Sequence, residues 1–166
     1  MNFIALESSQ KLRGGFYTDP VIASCLSRWI KTCNPTSILE PSCGDGVFLQ
    51  MIEQQDIPSL KKVTAFEIEH DEAEKARKRT RLPIRIHDRD FLQWFLFEAQ
   101  ENDRFDAVIG NPPFIRYQYL PEEQQLLAEK IFAQLELPFT KHTNAWVPFV
   151  LASLSLLNPG GRIAMV

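Results

Sequence analysis

The residue types best suited to chemistry gather where one apolar run ends. In FDAVIGNPPFIRYQYL, residues 105–120, the run stops at Asn111 and is followed by Pro112, Pro113 and Phe114. An Asn side-chain carbonyl beside a proline backbone carbonyl that no helical N–H ladder ties up makes two fixed acceptors, which suit one NH2 group. If that group is an aromatic amine, its lone pair is delocalised into the ring. Hydrogen bonds from both of its N–H groups would favour a more tetrahedral nitrogen with a more available lone pair. Phe114 offers a face on which a planar base can stack, worth about 1–3 kcal/mol. The same four residues also read as a Pro-Pro strand terminator followed by a core Phe.

Three other stretches end apolar runs with polar or glycine residues. ILEPSCGDGVFL, residues 38–49, reads as strand, glycine-bearing loop and helix, with Gly44 and Gly46 permitting close backbone approach to a ligand. Its spacing matches neither G-x-G-x-x-G nor the lysine-bearing phosphate loop, so a plain tight turn stays open. Glu67 closes VTAFEIE roughly twenty residues later, where a carboxylate can accept both hydroxyls of a ribose. The alternative is a solvated acid, since Glu69, Asp71, Glu72 and Glu74 follow. Asp90 stands before the apolar FLQWFLF, either as acceptor for an exocyclic amine or as a helix N-cap.

These residues need a scaffold that brings the ends of several strands together. Five short apolar runs, SILEP, KKVTAFEIE, LPIRIH, FDAVIGN and GGRIAMV, each lie next to a helical pattern. Such alternation indicates βαβ units and an α/β, doubly wound, mostly parallel sheet buried on both faces. A first helix precedes the first strand, with Asp19 as N-cap, Pro20 at N1 and Ile22, Leu26, Trp29 and Ile30 on one face. Residues 115–143 interrupt the alternation. Within them Pro121 to Glu136 reads as an amphipathic helix with Leu127, Ile131 and Leu135 on one stripe. An apolar helix from about Ala145 to Leu157 is expected to end at an NPGG stop and turn, before the strand RIAMV. One domain over residues 1–166 is the simplest partition. Ending on a strand that should be central to such a sheet suggests a fragment, or a subunit completed by another chain.

Composition sets outer bounds. With 166 residues, 45% hydrophobic and 23% charged, the chain can bury a substantial core. No run approaches the roughly 18 apolar residues of a membrane span, and MNFIALESSQ lacks a signal-peptide pattern, so the cytoplasm is expected. Cys25, Cys33 and Cys43 form no C-x-x-C pair and are expected to be reduced, with no metal bound. His87 and His142 have no ligand spacing and are given no role. The formal charge of −3 and pI of about 5.6 do not give the basic footprint of a domain that grips nucleic acid alone.

Taken in order, these stretches resemble the N6-adenine DNA methyltransferases, in the group whose cofactor motifs precede the target-recognition domain. GGFYTDPVIASCL resembles the N-terminal motif over the methionine part of S-adenosylmethionine, which implies Tyr17 and Thr18 as cofactor contacts; Asp19 intervenes before Pro20. LEPSCGDGVFL is similar to the family's glycine loop, which implies cofactor contacts at Glu40, Ser42, Gly44 and Gly46. FEIE and RDFL are similar to the next two motifs, with Glu67 and Ile68 at the ribose and Asp90 and Phe91 at the adenine. NPPF resembles the catalytic tetrapeptide, Asn111, Pro112, Pro113 and Phe114, with Phe in place of the commoner Tyr. The resemblance implies a Rossmann-like fold and methyl transfer from S-adenosyl-L-methionine to adenine N6 in double-stranded DNA.

The transfer so implied is direct and in line, from sulfonium to the N6 of an adenine flipped from the duplex, with no metal. Cys43 lies in the cofactor loop, which speaks against covalent catalysis. A second aromatic facing Phe114, two further strands and a recognition domain or subunit are expected outside this chain, and the resemblance implies the context of a restriction-modification system. Arg116, Tyr117 and Tyr119 could meet phosphate or an orphaned base, or be loop residues without such a role. NPP-aromatic also suits methylation of RNA guanine N2 or of protein glutamine, and a non-catalytic cofactor-binding half of a split enzyme is a further alternative. The isolated chain is expected to bind the cofactor weakly and not to methylate DNA.

Overall fold

A computed structural model describes residues 17–166. The elements are α1 (Pro20–Lys31), β1 (Ser37–Glu40), α2 (Val47–Gln55), β2 (Lys62–Glu67), α3 (His70–Arg79), β3 (Ile84–Asp88), α4 (Phe91–Phe97), β4 (Phe105–Gly110), a 3-10 turn (Tyr117–Tyr119), α5 (Glu122–Gln134), α6 (Trp146–Ser155) and β5 (Leu157–Met165). The strands form one sheet in the order β3-β2-β1-β4-β5, and every pairing is parallel. This is a doubly wound, Rossmann-like arrangement. The chain moves outward from β1 to β3 and then returns to β4 on the other side of β1. The switch point therefore lies between β1 and β4, where a crevice opens at the carboxyl ends of the strands.

Alternation along the strands feeds two cores. Ile38, Val63, Ala65, Ala107 and Ile109 face α1, α2 and α3, packing with Ala23, Ile30, Phe48, Met51, Ile52 and Ala76. Leu39, Phe66 and Val108 face the other side, packing with Phe91, Leu92 and Trp94 of α4, Leu127 and Ile131 of α5, and Phe149 and Ala152 of α6. Burying each such large side chain contributes about 1.5–3 kcal/mol of transfer free energy. His87 belongs to this scaffold, stacked on Phe66 at 4.8 Å and 13°.

Several local expectations hold and others need correction. Asp19 caps α1, accepting the Val21 N–H at 2.7 Å, with Pro20 in the first turn. The buried stripe of α1, however, is Ala23, Ser27 and Ile30, while Ile22 and Trp29 are each 46% exposed. Arg162 accounts for Trp29: its guanidinium lies 5.0 Å from the indole centre and donates to the Trp29 carbonyl at 3.0 Å. α5 ends at Gln134 and α6 at Ser155, each two residues before the expected end. NPGG is not a turn ahead of β5 but part of it. Leu157 pairs with Phe105 and Arg162 with Ala107, so residues 158–161 bulge out opposite Asp106. β5 is the outermost of the five strands on the side of β4.

Asp106 anchors that bulge at the amino edge of the sheet. Its Oδ1 accepts from Asn158 at 2.7 Å, and its Oδ2 accepts from the Thr36 N–H and hydroxyl, both at 2.7 Å, and from the Ser37 N–H at 3.2 Å. Partial burial pushes its pKa upward, but these hydrogen bonds outweigh it and hold the carboxyl at about 2.

Candidate active site

Four strand ends supply the site. β1 leads into Pro41-Ser42-Cys43-Gly44, β2 ends at Glu67, β3 leads to Asp90 and β4 leads into Asn111. The glycine loop is fixed from below: the Cys43 N–H donates to the Phe66 carbonyl at 2.8 Å, and the Gly46 N–H to Cys43 at 2.9 Å. Both glycines hold positive φ, +51° at Gly44 and +85° at Gly46. Their reasons differ. A Cβ at Gly46 would stand 2.8 Å from the Ala76 Cα, so its absence lets α3 pack on the loop. A Cβ at Gly44 would meet nothing within 4 Å, so that surface is open to an approaching ligand.

Glu67 braces the loop, accepting the Gly44 N–H at 2.8 Å on Oε2 and the Glu69 N–H at 2.9 Å on Oε1. Burial raises its pKa, and these N–H bonds oppose the rise. Each carboxylate oxygen retains a further lone pair for a hydroxyl donor. Ile68, beside it, is 59% exposed. Glu40 differs sharply. It is wholly buried, neither carboxyl oxygen has a hydrogen-bond partner among the described residues, and its pKa is driven well above the usual range by burial, then by Glu67 and Asp45. An unpaired buried acid is costly, about 1–3 kcal/mol for a lost partner, and such groups ordinarily have one.

The loop after β4 is tied to the glycine loop and to the N-terminal segment. The Ser42 hydroxyl donates to the Asn111 carbonyl at 3.2 Å, and Asn111 Nδ2 donates to Thr18 Oγ1 at 3.2 Å. Thr18 is buried, whereas Tyr17 is exposed, its hydroxyl 3.3 Å from both Glu72 oxygens. With Nδ2 turned to Thr18, the Asn111 amide is held in one orientation. No hydrogen bond among the described residues engages the Pro112 carbonyl. Pro112 is buried and Pro113 half-buried behind it. Phe114 is 54% exposed, so it is not the core Phe of the strand-terminator reading.

Trp146 stacks on Phe114 with ring centroids 6.1 Å apart and planes 24° from parallel. Trp146 is a neighbour of Phe114 within this chain, a different contact from the aromatic expected to face it across a base, and Phe114 stays half exposed beside it. Trp146 is held there because the ends of the 115–143 excursion close on each other. Arg116 and Asn144 form an antiparallel bridge, Tyr117 N–H donates to Thr143 at 3.1 Å and Ala145 N–H to Ile115 at 2.7 Å. Tyr117 is buried, packed edge-on against Phe139 and bonded to Glu129, while Arg116 and Tyr119 are exposed.

Two candidates sit less openly than the sequence suggests. Asp90 caps α4, accepting the Gln93 N–H at 2.8 Å on Oδ1, and its Oδ2 accepts from the Gln124 amide. Phe91 is 1% exposed and packs among Phe66, Trp94, Phe95 and Phe149, so its ring serves the core rather than the crevice. Cys43 is buried and its thiol is pushed far up by that burial and by Glu40 and Glu67, which disfavours the thiolate that a nucleophile requires. Among the described residues, no group of three or more His, Cys, Asp or Glu could hold a metal ion, and no helix is long and apolar enough to cross a membrane.

A doubly wound sheet with a glycine loop, a strand-end acid and an anchored NPPF at its switch point is the architecture of an enzyme class that takes a nucleoside-bearing ligand. Residues 21–166 match the Eco57I restriction-modification methylase family, and the chain belongs to it. Its relatives include the Type II methyltransferase M.CvrRI of Paramecium bursaria Chlorella virus XZ-6E, 31% identical over 110 residues, covering 66% of this chain and 27% of that protein. The Type II methyltransferase M.BstVI of Geobacillus stearothermophilus is 23% identical over 199 residues, covering 96% of this chain and 34% of that protein. A modification subunit of a putative type I restriction enzyme from Vibrio vulnificus YJ016 shares the fold, with a TM-score of 0.60 and 20% identity over 97% of this chain and 36% of that one. The chain thus spans about a third of the length of the relatives it matches.

Proposed function

We propose that the chain is the cofactor-binding and catalytic part of a methyltransferase acting on N6 of adenine in double-stranded DNA, within a restriction-modification system in the cytoplasm. The observation that carries this reading is Asn111, held by Thr18 and Ser42 at the switch point, beside the glycine loop and three residues from the exposed Phe114 ring.

The residues present fit S-adenosyl-L-methionine. Gly44 offers an open backbone approach, Glu67 can accept ribose hydroxyls beside the exposed Ile68, and the buried Glu40 carboxyl, unpartnered among the described residues, could give up its proton and pair with a cationic group. Ser42 and Thr18 line the path between that loop and Asn111. Asp90 keeps lone pairs beyond those used by Gln93 and Gln124, so it can still accept from an adenine amine. When bound, the cofactor supplies an electrophilic methyl on a sulfonium. The chain's own part is to bind and orient. The Asn111 side-chain carbonyl and the Pro112 carbonyl would accept both N–H bonds of a target amine, making its lone pair available, while Phe114 holds the ring. Positioning of this kind supplies most of the acceleration in a direct transfer. The proton lost from the nitrogen leaves to solvent along those acceptors, and the transfer needs no metal or cysteine. Recognition of the DNA sequence is assigned to a domain or subunit beyond these residues.

The test is Asn111→Ala in the complete gene product. Methyl transfer to DNA should fall about 100- to 1,000-fold, as when one preorganised polar group is removed from an active site. Calorimetric affinity for S-adenosylmethionine should stay within about 3-fold, because the variant removes no group assigned to the cofactor. Equal losses in both would make Asn111 a scaffold residue. Label from the cofactor appearing in RNA or protein, with none in DNA, would overturn the substrate assignment.

A further inference from the structure

Beside Phe114 lies a cleft of about 330 Å³ lined by Arg116, Gln118, Lys141, His142, Thr143 and Asn144. It carries three basic side chains and no acid. Four basic residues elsewhere are neutralised: Lys75 pairs with Glu72, Arg77 with Glu74 and Asp88, Arg79 with Asp45, and Arg89 with Glu98. No salt bridge among the described residues involves Arg116, Lys141 or His142. In a chain of net charge −3, a cleft lined by Arg116 and Lys141 with His142 beside them and no acid favours an anion.

The cleft's place says which anion. Arg116 is two residues from Phe114, about 7 Å along extended backbone, and Asn144 is two residues from Trp146, which stacks on Phe114. The bridge between Arg116 and Asn144 locks both walls together at the base of the excursion. The wall is therefore as firmly placed as the ring. Its arginine supplies a planar fork suited to phosphate, and Gln118 and Asn144 supply amide N–H donors beside it. We propose that this cleft binds a backbone phosphodiester of the nucleic acid strand whose base stacks on Phe114. The inference rests on the reading of Phe114 as the platform for a base drawn out of a strand. A phosphate gripped by residues two positions along the chain from the platform restricts where the attached sugar can lie. It thereby limits which nucleotide of the strand can reach Asn111. The contact carries no base information of its own and sets register only.

The experiment measures binding of the full chain to a fluorescent DNA oligonucleotide by anisotropy, between about 50 and 200 mM salt, where each phosphate contact contributes about 0.7–0.9 to the slope of log K against log salt. Arg116→Ala/Lys141→Ala should lower that slope by about 0.7–0.9, the share of one phosphate, and weaken binding at the low-salt end about 10-fold or more. Lys61→Ala/Lys78→Ala removes the same charge from the opposite edge of the sheet and should change the slope by less than half as much. Arg116→Lys should keep the slope and lose part of the affinity. All these side chains are exposed or line the open cleft, so equal thermal midpoints should confirm that each variant folds. Inorganic phosphate is the second arm. It should displace the oligonucleotide only at concentrations that act through ionic strength, and displacement at micromolar phosphate would assign the cleft to the free anion. An unchanged slope in Arg116→Ala/Lys141→Ala, an equal fall in the control, or no salt-dependent binding by the unaltered chain would each overturn the proposal. Methyl transfer is read separately, in the complete gene product: its absence there with the slope change intact would remove the enzymatic reading and leave the phosphate site standing.

Discussion

Replacing Glu40 by Gln removes one titrating proton from the core while keeping nearly the same shape. Glu40 is wholly buried with both oxygens unpartnered, and burial together with Glu67 and Asp45 raises its pKa well above 4.5. In the unfolded chain the carboxyl ionises near its ordinary value. Between that value and the raised folded one, the native state holds one proton more than the unfolded state. The contribution of Glu40 to stability is thus full below about pH 4.5 and is lost as pH rises, by about 1.4 kcal/mol per pH unit. Gln has no such proton. From about pH 5 to pH 6 the Glu40→Gln variant should therefore gain about 1.4 kcal/mol on the parent chain. With a urea m-value of about 2 kcal/mol/M, the gap between their midpoints should widen by about 0.7 M. Glu67, whose pKa is also raised, titrates in both proteins, so taking the difference removes most of its effect.

Urea unfolding followed by circular dichroism at a series of pH values is the assay. Midpoints that run parallel across that range would refute the reasoning, since they would mean that Glu40 is already ionised in the native state. A second reading of the same variant concerns the ligand. A cationic group reaching Glu40 would draw off its proton, so calorimetry of S-adenosylmethionine binding in buffers of different ionisation enthalpy should show proton release in the parent and none in Glu40→Gln. Loss of that charge-assisted bond should weaken binding about 10- to 100-fold, the equivalent of about 1.5–3 kcal/mol.

The two loop glycines should separate stability from binding. Gly46→Ala places a Cβ 2.8 Å from the Ala76 Cα at a φ of +85°, and should cost about 2 kcal/mol or more in chemical denaturation. Gly44→Ala meets no atom within 4 Å, so it should cost only about 1 kcal/mol of backbone strain while weakening cofactor affinity in calorimetry. Asp106→Asn should cost about 2 kcal/mol at neutral pH, because the carboxylate at about 2 is stabilised by Thr36, Ser37 and Asn158. That advantage is present above the unfolded value near 3.8 and is lost as pH falls through about 2, so the two unfolding curves should converge in acid.

The fold was legible because its signals are local and repeat. Five apolar runs bounded by turn residues gave five parallel strands, and Asp19-Pro20 gave the start of α1. Misreadings came where tertiary contacts overrule pattern. Trp29 has helical spacing for the core, yet Arg162 from β5 holds it at the surface. NPGG has the chemistry of a turn, yet Asp106 captures Asn158 and draws the segment into the sheet. Trp146 escaped notice as a partner for Phe114 because 32 residues of sequence number separate them, and only the bridge at Arg116 and Asn144 brings them together. The basic cleft is invisible for the same reason: Arg116 and Lys141 look like scattered surface charges until the excursion closes.

Closure of that excursion also explains why the two halves of the site behave as one unit. Asn111 is bound on its carbonyl by Ser42 of the glycine loop and on its amide by Thr18 of the N-terminal segment. Both of those residues belong to the side of the crevice proposed for the cofactor. Phe114, three residues on, is fixed by Trp146, whose helix packs on the face of the sheet opposite to α1 and α2. The loop from Asn111 to Phe114 is consequently clamped at one end by groups that would sense the cofactor and at the other by groups that would sense the base. A bond to either ligand restricts the same short, proline-stiffened segment. Ordering that segment for one ligand lowers the entropic cost of admitting the other, which favours binding of both together over either alone.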